Sequence, residues 1–242
     1  MRAALIPMKE LSQAKLRLAP ALDAAARAEL ALAMLADVIA ACAESGCFDL
    51  IAVVSNDSTV FWHARELGAT PIAEPAALGG GLNAGLTFAQ RYLARRVAVS
   101  ELVILPADVP LARADDIRAV VDALAAPPDR PRCVLVRSRD NGTNALALRP
   151  PEAVAPAYGR NSADAHRAAA LAASIDLVEL TLERLAFDVD APDDLTELET
   201  LPAGPATRRF LAAPPASPPP RSSSPRPQPS SPAPQRGEGA GG

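Results

Sequence analysis

Three aspartates stand where their carboxylates could share one cation. Asp108 comes two residues after Pro106, which ends the apolar run Leu102-Val-Ile-Leu105, and Asp188 and Asp190 are separated only by Val189. A hard divalent ion such as magnesium takes carboxylate oxygens and keeps coordination positions free for substrate phosphates. Alternate residues of a strand point to one face, so the spacing of Asp188 and Asp190 lets both reach a common ion. Asp190 has a second, compatible reading as the cap of a closing helix that begins near Pro192.

Groups suited to a phosphorylated ligand lie on other loops. Lys9, Lys15 and Arg17 follow the first apolar run. A mobile ammonium and a forked guanidinium both suit a triphosphate whose charge must be opposed as a phosphoryl bond breaks. That loop has neither Walker A nor Gly-x-Gly-x-x-Gly glycines, and an exposed basic loop can equally be solvated surface. Gly79-Gly80-Gly81-Leu82-Asn83 permits a close backbone approach to a flat ligand, and the Asn83 amide can read a base edge. A flexible linker is the competing explanation, although this stretch runs directly into an apolar helix. Asn141-Gly142-Thr143-Asn144 and Tyr158-Gly159-Arg160-Asn161-Ser162 offer backbone N–H groups and hydroxyls, with Ser162 at a helix start where an anion is favoured. Their plainer roles are a tight hairpin and an N-cap. His166, one turn beyond Ser162, reads as packing rather than catalysis.

These loops need a scaffold, and the periodicity supplies one. Leu102 to Leu105 is continuously apolar, as a strand covered on both faces must be, and Pro106 ends its pairing. Asp108 then falls in the crevice beyond the strand's carboxyl end, where open α/β sheets place ligands. Ala3 to Ile6, Leu50 to Val54 and Thr70 to Ala73 read as further strands. Asp23 is a candidate cap for a helix ending at Ser45-Gly46. Cys133 to Val136 and Thr143 to Leu148 flank Asp140-Asn141-Gly142, a strong hairpin signal that breaks the parallel pattern. A helix from Ser162 to about Ala173 and a strand near Leu177 to Leu180 follow. The segment Phe187 to Asp190 reads as a short strand, and an acidic helix closes the fold. The expected class is α/β, a mixed, mostly parallel sheet flanked by helices.

Composition limits the remaining possibilities. Of the 242 residues, 1–211 carry the periodic pattern, whereas 212–242 are rich in Pro, Ser and Gly and are expected to be a disordered tail. The formal net charge is −4, and a mildly acidic body argues against a nucleic-acid-binding surface. Cys42, Cys47 and Cys133 form no Cys-x-x-Cys pair, and only two histidines accompany them. Buried thiols in a reducing cytosol are therefore expected, not a zinc or disulfide framework. No apolar run approaches membrane-spanning length and the start lacks a signal-peptide pattern, so a cytoplasmic protein is expected, with its oligomeric state left open.

Taken together, Ile6-Pro-Met-Lys9 through Lys15-Leu-Arg17, Gly81-Leu-Asn83-Ala, Leu105-Pro-Ala-Asp108-Val-Pro-Leu, Asn141-Gly-Thr143-Asn-Ala-Leu and Phe187-Asp-Val-Asp190-Ala-Pro-Asp-Asp194-Leu resemble the CofC family of phospholactate and phosphoenolpyruvate guanylyltransferases, which act in biosynthesis of the deazaflavin coenzyme F-420. The resemblance spans about residues 1 to 200. It implies a single Rossmann-related, GT-A-like nucleotidyltransferase domain that uses GTP and magnesium and releases pyrophosphate. By the same resemblance, Asp108, Asp188 and Asp190 ligate magnesium, with Asp108, Lys15 and Arg17 catalytic and the two cations neutralising the triphosphate. Lys9 and Lys15 contact the nucleotide, Gly81, Leu82 and Asn83 line a guanine pocket, and Thr143, Gly159 and Ser162 hold a three-carbon phospho-acid. That acid would be 2-phospho-L-lactate, phosphoenolpyruvate or 3-phosphoglycerate, and the product would pass to a deazaflavin-transferring enzyme. Relatives commonly have Phe-Gly-Pro-Gly-Ser at residues 158–162, so Arg160 and Asn161 depart from the pattern, a change that would suit a more polar acid such as 3-phosphoglycerate. The competing assignments are a related nucleotidyltransferase using CTP or a sugar phosphate, and a non-catalytic scaffold acting through the proline-rich tail.

Overall fold

The computed structural model describes residues 1–75, 81–125 and 130–213. Seven strands form one sheet: β1 (Arg2–Pro7), β2 (Leu50–Ser55), β3 (Thr70–Ala73), β4 (Glu101–Ile104), β5 (Arg132–Arg137), β6 (Thr143–Arg149) and β7 (Asp176–Leu180), in the order β3-β2-β1-β4-β6-β5-β7. Only β6 runs against its neighbours, pairing antiparallel with β4 and β5. The helices are α1 (Ala24–Ser45), α2 (Ser58–Glu66), α3 (Leu82–Arg96), α4 (Ala114–Ala125), α5 (Ser162–Ala172), α6 (Glu183–Ala186), α7 (Pro192–Leu198) and α8 (Pro205–Ala212).

The strand interiors explain the layering. In β1, Ala4 and Ile6 face the core shared with α1, α2 and α4, whereas Ala3 and Leu5 face the core shared with α3 and α5. β4 is treated the same way: Leu102 and Ile104 lie on the α3/α5 side, Val103 on the other, all without solvent exposure. Each such fully buried side chain contributes about 1.5–3 kcal/mol, so the central strands are rigid supports for the loops at their ends. A third apolar cluster includes Leu18, Met34, Leu111, Phe187, Val189 and Leu198. It joins the basic loop, the segment after β4 and the Phe187–Asp190 segment through their apolar residues.

Local signals decide the ends of elements. The Asp23 carboxylate accepts from Ala26 N at 2.8 Å, and Gly46 ends α1 in the left-handed region. Asp57 caps α2 in the same manner. One expectation is corrected. Phe187 to Asp190 is not a strand: α6 ends at Ala186, and the segment is held by Val189 N donating to Asp108 O at 3.1 Å. The expected hairpin is present: β5 and β6 pair antiparallel across a five-residue loop, 138–142, in which Asn141 is left-handed (φ 70°) and Ser138 Oγ accepts from Gly142 N at 2.7 Å. The proposed domain boundary lies close to the end of α8. The expected disordered tail, apart from Ala212 and Ala213, lies outside the described residues, as do Gly79 and Gly80. Cys42 and Cys133 are buried and free, and burial pushes both thiols up to about 12. Among the described residues no helix is long and apolar enough to cross a membrane.

Candidate active site

The carboxyl ends of β1 and β4 open into a crevice whose larger cavity, about 440 Å³, is lined by Lys15, Arg17, Leu82, Asp108, Tyr158 and Asp190, among others. Leu105 N bonds Leu5 O at 3.1 Å just past β4, so the two strands deliver their following loops side by side. Asp108, Asp188 and Asp190 come together as the spacing predicts, although no strand carries the last two. One ligand atom from each lies within 4.8 Å of the others. The bond from Val189 N to Asp108 O is what pins the two segments together.

Lys15 Nζ sits among these acids, 2.5 Å from Asp108 Oδ2 and 2.8 Å from Asp190 Oδ1. Its backbone is left-handed (φ 48°), a conformation that is uncommon for a residue with a Cβ and is retained where surrounding contacts demand it. Burial works against the ammonium, yet the two carboxylates hold its proton above the ordinary lysine range. Arg17 is mostly exposed and reaches Asp190 Oδ2 only at 3.7 Å. Lys9 is exposed and lines the crevice on both sides.

Charge is distributed unevenly over the acids. Burial opposes ionisation of Asp190, but Lys15 outweighs it and keeps this carboxyl below the usual range. Asp188 is pushed up to about 6, first by burial and then by the negative charge of Asp108. Its compensating bond is from Asn144 Nδ2 at 3.2 Å. Asp190 does not cap α7; Asp194 does, its Oδ2 accepting from the Asp190 and Ala191 amides at 2.8 and 2.7 Å. The Asp190 side chain is thereby left for the crevice.

A neutral network lies on α5 and the start of β6. Ala157 N donates to His166 Nε2 at 2.8 Å, so Nδ1 carries the proton and donates to Thr143 Oγ1 at 3.0 Å. Ser162 Oγ donates to the same oxygen at 3.1 Å. The Thr143 hydroxyl thus accepts twice, and its own proton is aimed elsewhere. Burial lowers His166 to about 4, consistent with a satisfied, neutral imidazole. Thr143, Gly159 and Ser162 come together here, but only their neighbour Tyr158 is among the groups lining the larger cavity. Gly159 is at φ 144°, a region open to glycine. Asn161 is left-handed (φ 57°), a conformation that asparagine tolerates better than most residues with a Cβ.

Asn83 lies in the first turn of α3. Its Nδ2 donates to Tyr158 O at 2.8 Å and its Oδ1 accepts from Tyr158 N at 2.7 Å, so both ends of the amide are engaged and tie α3 to the loop before α5. Gly81 and Leu82 do line a second cavity of about 210 Å³. Glu74 lines the same cavity, and motif reading gave it no role. Glu74 directly follows β3, at the same end of the parallel sheet as Asp108 beyond β4, and that position is the signal that could have found it.

Comparison with known proteins agrees with this geometry. Residues 1–224 match the family model described as guanylyl transferase, CofC like. A phosphoenolpyruvate guanylyltransferase from Sphaerobacter thermophilus is 41% identical over 195 residues, covering 81% of this chain and 91% of that protein. A relative of the same name from Rubrobacter xylanophilus is 38% identical over 198 residues, covering 81% and 92%. Among solved structures, CMP:2-keto-3-deoxy-manno-octonic acid synthetase complexed with CTP is similar with a TM-score of 0.55 at 14% identity, over 82% of this chain and 97% of that one. At that identity the likeness establishes a nucleotidyltransferase fold and nothing finer. The chain belongs to the CofC-like guanylyl transferase family.

Proposed function

We propose that this protein transfers GMP from GTP to a three-carbon phospho-acid, releasing pyrophosphate, in biosynthesis of the deazaflavin coenzyme F-420. The observation that carries the reading is the convergence of Asp108, Asp188 and Asp190 in the crevice, with Lys15 bridging Asp108 and Asp190. The names of the relatives favour phosphoenolpyruvate over 2-phospho-L-lactate and 3-phosphoglycerate. Arg160 and Asn161 do not displace it. Arg160 is exposed, and Asn161 is accounted for by its backbone conformation and its contact with Asn141 Nδ2 at 3.4 Å.

The donor set fits magnesium: all hard carboxylate oxygens, mutually close, with a raised Asp188 that a cation would relieve. Bound among these three carboxylates, the ion would polarise the α-phosphoryl group and offset charge on the departing pyrophosphate. Lys15 and Arg17 oppose the same charge, and Lys9 stands at the mouth of the crevice for the outer phosphates. The acceptor's phosphate oxygen is already ionised near neutral pH and attacks the α-phosphorus in line without a strong base. That suits a site whose neighbouring imidazole is committed to Thr143. Thr143, Gly159 and Ser162 position the acid, and orientation supplies much of the rate. The energy-rich product is then handed to a deazaflavin-transferring enzyme, and the reaction is assigned to the cytoplasm.

Pyrophosphate release tests this with each nucleoside triphosphate, magnesium and each of the three acids, including the downstream enzyme as a trap. GTP- and phosphoenolpyruvate-dependent release is expected. Release with CTP alone would keep the fold and overturn the reaction, and no acid-dependent release with any nucleotide would overturn it entirely.

A further inference from the structure

The second cavity opens from the same crevice towards β2 and β3 and shares Pro7, Met8, Lys9, Gln13 and Leu82 with the first. At about 210 Å³ it lies below the ~300–1,000 Å³ of pockets that take a whole ligand, and it suits one ring system of a ligand that continues into the larger cavity. Val54, Leu82 and Leu86 give it apolar walls. Two carboxylates line it, that of the exposed Glu10 and that of the part-buried Glu74.

The Glu74 carboxylate is incompletely satisfied. Among the described residues, Glu74 Oε1 is shielded from solvent and has no hydrogen-bond partner. The Asn56 amide is adjacent in either of two orientations: one donates to Glu74 Oε2 at 3.3 Å, the other to the backbone oxygens of Ser55 at 3.2 Å and Glu74 at 2.9 Å. Neither satisfies Oε1. The main chain is fixed by Glu74 N donating to Ser55 O at 3.2 Å. On the other side, a Cβ at Gly85 would come within 2.8 Å of Glu74 Oε2, so α3 has a glycine where the carboxylate lies against it. A buried acceptor without a donor is costly and marks a place where a ligand's donors are expected.

We propose that Glu74 selects the base of the nucleotide, its carboxylate accepting the two adjacent donors of guanine, N1–H and the exocyclic 2-amino group. Adenine and cytosine place a lone pair beside their single amino donor, which a carboxylate repels, and uracil has one N–H between two carbonyls. Guanine alone among the common bases matches a two-oxygen acceptor, and an unmatched base leaves the buried carboxylate unpaired, the basis of strong discrimination. This inference rests on guanylyl transfer as the reaction and names the residue that makes it guanine-specific.

The test compares GTP, ITP and XTP on the wild-type protein and on Glu74→Gln, by pyrophosphate release with phosphoenolpyruvate and magnesium and by calorimetric binding of each nucleotide alone. ITP lacks the 2-amino group and is expected to bind the wild type about tenfold more weakly than GTP, the equivalent of one lost hydrogen bond. Glu74→Gln should lose GTP mainly through KM and gain XTP, whose 2-oxo group accepts from the glutamine amide while N1–H donates to its oxygen. Gly85→Ala, which crowds the carboxylate, should raise the KM for GTP more than that for ITP and gives a second reading where Glu74→Gln folds poorly. An unchanged preference for GTP over XTP in Glu74→Gln, with wild-type rates, would overturn the proposal and leave guanylyl transfer standing. A wild type without turnover would sink the reaction, and the binding comparison would still decide the role of Glu74.

Discussion

Asp37 and Asp188 are carboxylates withdrawn from water in two regions of the molecule, and their surroundings differ. In the helical layer behind the sheet, Asp37 is 5% exposed and accepts from Ala206 N at 2.9 Å and Thr207 N at 2.8 Å, capping α8 against α1. Asp116, 4% exposed, receives both arms of the Arg184 guanidinium at 2.8 Å. Each acid there has its own donors. In the crevice three acids lie together, two of them share one lysine, and Asp188 has an amide bond at 3.2 Å while facing the charge of Asp108. The fold provides ample donors where an acid holds helices together and fewer in the crevice, where the proposed function has a cation and phosphates bind. A carboxylate cluster left short of partners is a common physical mark of a functional site.

This contrast gives graded expectations. Asp108→Asn should lower turnover by about 10²–10³-fold, the scale of losing one charge-stabilising group, with the melting temperature held; steady-state pyrophosphate release and circular-dichroism melts together check it. Asp37→Ala should do the reverse, costing about 3 kcal/mol in urea unfolding because two charge-assisted bonds are lost, while kcat stays near wild type. Equal effects of the two substitutions on activity would remove the distinction between the regions.

His166 sharpens the contrast through pH. Its pKa falls from 6.5 to about 4 on folding, so above pH 6.5 it contributes no pH dependence. Between pH 6.5 and 4 the unfolded chain takes up a proton that the folded protein refuses, and stability falls by up to roughly 3 kcal/mol. His166→Gln should flatten that slope in unfolding titrations run across this range. The smallest effect is expected at Asp188, whose raised pKa costs stability as pH rises from 3.8 through about 6 and leaves the full cost above it. Without metal, Asp188→Asn should therefore stabilise the protein at pH 7.5, by about 1 kcal/mol after allowance for solvent screening, and should still fail in turnover.

Much of this could be read along the chain because strand ends are signalled locally. Pro106 after an unbroken apolar run placed Asp108 correctly, and Asp23 and Gly46 bounded α1. The Phe187–Asp190 segment was harder: alternating apolar and acidic residues imitate a strand, yet Phe187 and Val189 face the third apolar cluster, not a sheet neighbour. Asn83 and Glu74 show the other limit. An asparagine beside glycines suggests recognition, but Tyr158, 75 residues away, takes both its ends. A glutamate before a proline suggests only a turn, and its unpartnered oxygen emerges when β2, β3 and α3 are brought together. Contacts at long sequence separation carry no mark in local composition.

The central claim is that the crevice carboxylates are left short of donors in order to hold a divalent cation. It is tested most directly by titrating the wild-type protein, Asp188→Asn and Asp37→Asn with manganese(II) as a paramagnetic stand-in, following water-proton relaxation. Saturable binding to the wild type and to Asp37→Asn, lost or strongly weakened in Asp188→Asn, is the predicted result. Binding that is indifferent to Asp188, or absent from the wild type even with GTP present, would contradict the account.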